Sequence, residues 1–174
     1  FGEHWHEHLQ FFYFTRGNAL IRCGGREYRV GRGDVLIINS NELHYGENTG
    51  ERLEFWLVRV DLGLIRGFGP DPCQTKYVLP LMHNRILFKN LVTGDAAFRS
   101  CVRRIISEHT QRKKGFEIML KGEVCAAVAL LIRRHIRSVE TPEETARRLQ
   151  LTARFNDLLA YLEEHFREKT DLDR

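Results

Sequence analysis

The hydrophobic period of this chain changes once, near Asp95, and that change limits what each half can fold into. Before it, residues 4 to 60 read as short strands broken by glycine turns, with no helical period. His4, His6, His8 and Gln10 alternate with Trp5, Glu7 and Leu9, and the aromatic run Phe11-Phe12-Tyr13-Phe14 follows, ending at Arg16-Gly17-Asn18. Ala19–Cys23 and Arg26–Val30 meet across Gly24-Gly25, a two-residue link that favours a tight hairpin. Gly31-Arg32-Gly33-Asp34 turns into the apolar strand Val35–Ile38, and residues 53–60 supply another strand rich in aromatic and β-branched types. Short strands at such close, even spacing predict a sandwich or barrel. Residues 62–95 are irregular, with short strands expected at 76–79 and Ile86–Phe88.

After Asp95, Phe98, Cys101, Val102, Ile105, Ile106 and His109 fall on one stripe of an amphipathic helix. A second helix over 116–137 is apolar around most of its girth and is expected to be buried on more than one side. Residues 138–150 are polar and hold a helix start, Thr141-Pro142-Glu143-Glu144, with a capping hydroxyl, proline in the first turn and acids at the positive end. The last helix carries Leu151, Phe155, Leu158, Leu159, Leu162 and Phe166 on one face. The expected division is a β-barrel over 1–94, a helical hairpin over 95–138 and a linker with its helix over 139–174. Three helices present more apolar surface than a small barrel can cover, so a homodimer is expected through Phe98, Val102, Ile105, Ile106, Leu120 and Val124.

With 43% hydrophobic and 29% charged residues over 174 positions, the chain is too mixed to be disordered, fibrous or membrane-embedded. Its 27 basic and 23 acidic residues leave only +4, too little for it to grip DNA by itself. No apolar run approaches the roughly 18 residues needed to span a bilayer, so no membrane partner is expected. Cys23, Cys73, Cys101 and Cys125 form no C-x-x-C pair and read as free thiols in a reducing, cytoplasmic setting.

The chemistry lies in the β half. In a strand, His4, His6, His8 and Gln10 share one face, successive residues spaced by roughly 6.6 Å. His44 follows Val35–Ile38 after the turn-like Asn39-Ser40-Asn41-Glu42, so strand pairing can set it opposite them. His4, His6, Gln10 and His44 then form a polar ligand pocket or a site for a divalent transition metal such as zinc, iron, manganese or nickel. Trp56 is a candidate stacking platform for a ligand, with core packing equally open, and Arg22 a candidate ligand contact, with a solvated strand arginine as the plainer reading. No phosphate loop, nucleophile elbow or Ser-His-Asp ordering is present, so no catalytic residue is assigned and no enzyme is expected.

The run His4-x-His6-x3-Gln10-x6-Gly17 resembles the first motif of cupins, and Gly33-x5-Asn39-x-Asn41-x2-His44-x3-Asn48 resembles the second. Gln10 stands where that motif has glutamate, and Asn39 and Asn41 where it has proline and glycine; the first change matters most, since an amide oxygen is a poorer ligand for a divalent ion than a carboxylate. Over nearly its whole length the chain is similar to the N-terminal effector domain of AraC-type transcription regulators. That resemblance implies a mainly β fold, a barrel of cupin, double-stranded β-helix or jelly-roll type, followed by α-helices. It implies a barrel that senses a small-molecule effector, often a sugar, helices that dimerise, and DNA contact made only by helix-turn-helix units expected to begin near Asp171. The runner-up is a metal-dependent cupin enzyme of dioxygenase or isomerase type with His4, His6, His44 and Gln10 as ligands; Gln10 speaks against it, and Glu42, close to His44 in sequence, for it.

Overall fold

Alternation along the first strand, β1 (Leu9–Arg16), divides its side chains between two cores: Leu9 and Phe11 enter one, Phe12 and Phe14 the other. The computed structural model describes residues 2–50, 52–67, 69 and 71–165. β1 lies between β4 (Val35–Ile38) and β6 (Glu54–Val60), with Gln10 opposite Ile38 on one side and Arg59 on the other. β8 (Leu91–Val92) extends this antiparallel sheet to the order β6-β1-β4-β8. A second antiparallel sheet has the order β3-β2-β5, from β2 (Ala19–Cys23), β3 (Arg26–Val30) and β5 (His44–Asn48). Phe12, Phe14, Leu36 and Ile38 of the first sheet pack with Ala19, Ile21, Cys23 and Val30 of the second. The β2–β3 link puts Gly24 at φ +55° and Gly25 at φ +75°, left-handed values that two-residue hairpins require and glycine adopts freely.

The other face of the first sheet is covered by helices. Phe11, Val35, Ile37 and Val60 share a core with Phe98, Val102 and Ile105 of α2 (Ala96–Gln111) and with Val124, Ala127, Val128 and Leu131 of α3 (Phe116–Arg134). Phe11 and Phe98 meet edge to face, ring centres 5.6 Å apart. Asp95 caps α2 by accepting the Phe98 N–H at 3.0 Å. The chain divides into two compact units, Phe1–Val139 and Glu140–Arg174, so the barrel and the α2–α3 hairpin belong to one body.

Several expectations are corrected. Residues 76–79 are helical: a π-helical turn, Gln74–Val78, runs into α1 (Leu79–Met82). Asp71 accepts the Gln74 N–H at 2.9 Å and starts the turn, and Val78 and Leu81, three apart, go into the core, a helical spacing. Ile86–Phe88 is a strand, β7, as expected, but its partner is unforeseen: α3 stops at Arg134 and Ile136–Val139 forms β9 against it. The expected subunit contacts Phe98, Val102, Ile105 and Val124 are buried inside the chain's own core, which removes them from any surface, while Ile106 and Leu120 are half-buried at its margin. Nor is α3 buried on more than one side: Val124, Ala127, Val128 and Leu131 form a single buried stripe, while Ile118 is 79% and Met119 53% exposed.

In the second unit, α4 (Pro142–His165) begins at the expected start and absorbs the polar stretch after it. Thr141 Oγ1 accepts the Glu144 N–H at 3.2 Å, and the Glu144 carboxylate accepts the Thr141 N–H at 2.8 Å, a reciprocal capping box. Leu151, Phe155, Leu158, Leu159 and Leu162 lie on this helix; Phe166 falls outside the described residues. Among the described residues no helix is long and apolar enough to cross a membrane.

Candidate ligand and metal site

The early histidines do not prolong β1. His4 instead forms an isolated antiparallel bridge with His44, each N–H reaching the other's carbonyl at 3.1 and 3.0 Å, and the Asn41 N–H bonds the His6 carbonyl at 2.8 Å. The segment before β1 is therefore laced onto β5 and the turn preceding it, which brings the two histidine motifs together by backbone pairing. Asn41, where the cupin pattern has glycine, takes φ 60°, a left-handed value that asparagine tolerates. Ring centres lie 4.3 Å apart for His4 and His44, 5.0 Å for His6 and His44 and 6.0 Å for His4 and His6. One nitrogen from each of the three falls within 4.8 Å of the others. His8 stands outside, exposed, its carbonyl serving the His6 ring.

Each ring is oriented in the same way. Nδ1 of His4 contacts the Gly2 carbonyl at 2.9 Å, Nδ1 of His6 the His8 carbonyl at 3.0 Å, and Nδ1 of His44 the Glu42 carbonyl at 2.9 Å. A carbonyl only accepts, so Nδ1 carries the proton in each neutral ring and Nε2 carries the lone pair. Metal-binding histidines are held in this manner, the far nitrogen fixed by a hydrogen bond. Burial lowers the His44 pKa to about 4, helped by the neighbouring His4 and His6 rings. Burial, then the charge of Arg59, lowers that of His6. His44 is thus neutral at pH 7, with its lone pair intact.

Gln10 points to the same side of β1 as Phe12, whose ring centre lies 6.4 Å from that of His44. Gln10 is 1% exposed and neither its amide oxygen nor its amide nitrogen has a hydrogen-bond partner. A buried polar group left so costs about 1–3 kcal/mol, an outlay that a bound group supplying both partners cancels.

The remaining candidates are not brought here. Trp56 projects from the opposite face of β6, level with Tyr13, into a groove of about 320 Å³ shared with Ile105, Ile106 and His109. Arg22 alternates with the inward-facing Ile21 and Cys23, so it points outward, bonding Glu27 at 3.0 Å and lying over the Tyr45 ring. Glu42 is turned away from the imidazoles: Oε2 accepts from Asn39 and Asn90, and Oε1 from Arg137. Arg59 is the residue that sequence reasoning missed. Its cross-strand partner is Gln10, and register cannot be read from strand composition alone.

Residues 1–128 match the family model of the AraC-like ligand binding domain. This chain belongs to that family. Every residue of the cluster lies within the matched part of the AraC-like domain, so the site sits in an effector-binding fold whose antiparallel sheets are followed by helices. Among solved structures, it is similar to a predicted oxalate decarboxylase from Thermotoga maritima, at 33% identity and TM-score 0.33, over 34% of this chain and 53% of that one. It is also similar to the plu4264 protein from Photorhabdus luminescens, at 29% identity and TM-score 0.33, over 34% of this chain and 52% of that one. The match thus spans about half the length of each. No curated protein matches the chain.

Proposed function

We propose that this AraC-like domain is the effector sensor of a cytoplasmic transcription regulator. It binds a small molecule at His4, His6, Gln10 and His44 and controls DNA binding by helix-turn-helix units of the full-length protein. The observations that carry this reading are Gln10, sealed from water with both ends of its amide unanswered, and the three oriented imidazoles gathered in the same fold. Imidazole and amide edges can order the hydroxyls of a carbohydrate or another small polar ligand. The ligand acts on the rest of the protein only insofar as it prefers one packing of the domain over another.

A zinc, iron, manganese or nickel ion fits the cluster, since one ring nitrogen from each of the three histidines falls within 4.8 Å of the others and each Nδ1 is fixed by a backbone carbonyl. His4, His6 and His44 would hold it, with the Gln10 oxygen as a weaker fourth ligand. When bound, the ion supplies a Lewis-acidic position for an oxygen of the effector. The same triad favours a second reading, a metal-dependent cupin enzyme. Against it stand the amide at position 10 and the commitment of the Glu42 carboxylate elsewhere. Homodimerisation we assign to the outer face of α3, where Ile118, Met119 and Cys125 are exposed.

Thermal unfolding of the purified chain with and without zinc, alongside His6→Ala and Gln10→Ala variants, tests the site. The wild type should be stabilised by zinc and by the effector, and His6→Ala should lose both responses while remaining folded. Equal responses in wild type and variants would remove the pocket assignment. Turnover of a metal-loaded sample would favour the enzyme.

A further inference from the structure

The charge of the site restricts what it can bind. Pairing of β1 with β6 sets Gln10 opposite Arg59, Phe12 opposite Leu57 and Phe14 opposite Phe55. Paired residues point to the same side of a sheet, so Arg59, Leu57 and Phe55 share the face that carries Gln10. The ring contacts agree: Phe55 lies 5.4 Å from Phe12 and 5.8 Å from Phe14. This face therefore offers a guanidinium and a buried amide at one end and an apolar wall beyond them, and the His44 ring centre lies 6.4 Å from that of Phe12 on the same face. Among the described residues no ion pair engages Arg59, and Glu42 is already held by Arg137, Asn39 and Asn90.

Resting on the effector-site reading above, we propose that the molecule bound here carries a carboxylate, received by Arg59 and the Gln10 amide N–H beside the histidine cluster. The buried Gln10 N–H needs an acceptor, and a carboxylate offers up to four lone pairs where an uncharged hydroxyl offers two and competes as a donor. The argument strengthens when a metal ion is present. Three neutral imidazoles and an amide leave a divalent ion its full charge, whereas glutamate at position 10 would cancel half of it. With Arg59 the site then holds three uncompensated positive charges in a partly dry setting, and an anionic ligand is the direct way to balance them. Phe55 and Leu57, 37% and 46% exposed, would receive the carbon skeleton.

Two pairs of probes that differ in charge but little in shape test this: benzoate with benzamide, and galacturonate with galactose. Binding is measured by calorimetry on the purified chain, metal-free and with equimolar zinc, for wild type, Arg59→Gln and His6→Ala. Arg59 is exposed, so its variant should fold normally. At least one acid should bind more tightly than its neutral twin by roughly tenfold, and Arg59→Gln should erase that preference. Preference for benzoate identifies an apolar body, preference for galacturonate a sugar acid. Equal binding within both pairs, an acid preference that survives Arg59→Gln, or no binding by either acid overturns the proposal. If a neutral probe binds and His6→Ala abolishes it, the carboxylate assignment alone has failed. Probe binding indifferent to His6→Ala would mean that the effector site itself lies elsewhere.

Discussion

Glu42 and Arg137, 95 residues apart in sequence, form an ion pair of 3.0 Å beneath the site. Glu42 also lends its backbone carbonyl to His44 Nδ1, so one residue orients a site imidazole and ties β9, the last strand of the first unit, to the β4–β5 turn. The Glu42 side chain is 8% exposed and that of Arg137 32%, which makes the carboxylate the costlier group to strand. Arg137→Ala should therefore lower stability by about 2–3 kcal/mol, chiefly by leaving that carboxylate short of a partner. Urea unfolding of Glu42→Gln, Arg137→Ala and the double variant measures it: the double variant should lose less than the sum of the singles, and strict additivity would show that the pair is not coupled.

A surface contact on α3 should behave in the opposite way, changing association and leaving stability alone. Ile118 and Met119 touch little within their own chain, so Ile118→Glu combined with Met119→Glu should shift the unfolding midpoint by no more than about 0.5 kcal/mol. Sedimentation should show a wild-type dimer and a monomeric variant. A wild type that sediments as a monomer at high concentration removes the assignment.

Much of the β half was legible because its signals are local. Gly24-Gly25 set a hairpin, and the residue types of Val35–Ile38 set a buried strand. The two histidine spacings pointed to His4, His6 and His44, which the fold does bring within reach of one another. What was not legible depends on pairing over long distances. β9 continues a helical pattern in sequence, and only β7, some 50 residues earlier, makes it a strand. The same holds for Arg59, whose role follows from register with Gln10. The supposed interface residues Phe98, Val102, Ile105 and Val124 show a further limit: an apolar stripe states that a face is buried and is silent on whether its partner is the same chain or another.

Acid should weaken the metal-free chain in two separate steps. His44, held neutral by burial with its pKa near 4, must take up a proton on unfolding at any pH between that value and the unfolded value of 6.5. The unfolded state therefore binds more protons in this window, and stability falls as pH drops through it, by up to about 3 kcal/mol. Asp95 acts lower down. The Phe98 N–H that it accepts, with His135 and Arg134 beside it, brings its pKa from 3.8 to about 2, so its contribution is intact above 3.8 and lost as pH falls toward 2. Urea titrations should show a first decline between pH 6.5 and 4 that flattens in His44→Gln, and a second below pH 3.8 that flattens in Asp95→Asn. A profile level from pH 7 to 4 would contradict the buried neutral state of His44.

Gln10→Glu restores the carboxylate of the related motif and so separates the two ligands that the site can hold. Position 10 is sealed from water and lies opposite Arg59 in the sheet. In the metal-free chain the carboxylate should cost stability through desolvation, by about 1–3 kcal/mol, unless it binds a proton. With zinc the sign reverses: an anionic oxygen replaces an amide oxygen as ligand and neutralises one charge of the ion, so zinc affinity should rise by roughly tenfold or more. A carboxylate-bearing effector would meet repulsion from the same group and bind more weakly. Competition against a zinc-sensitive dye, followed by calorimetry with the better acid probe, reads both effects on one variant. Tighter zinc with weaker acid binding is the expected pair of results, and unchanged zinc affinity would place Gln10 outside the coordination sphere.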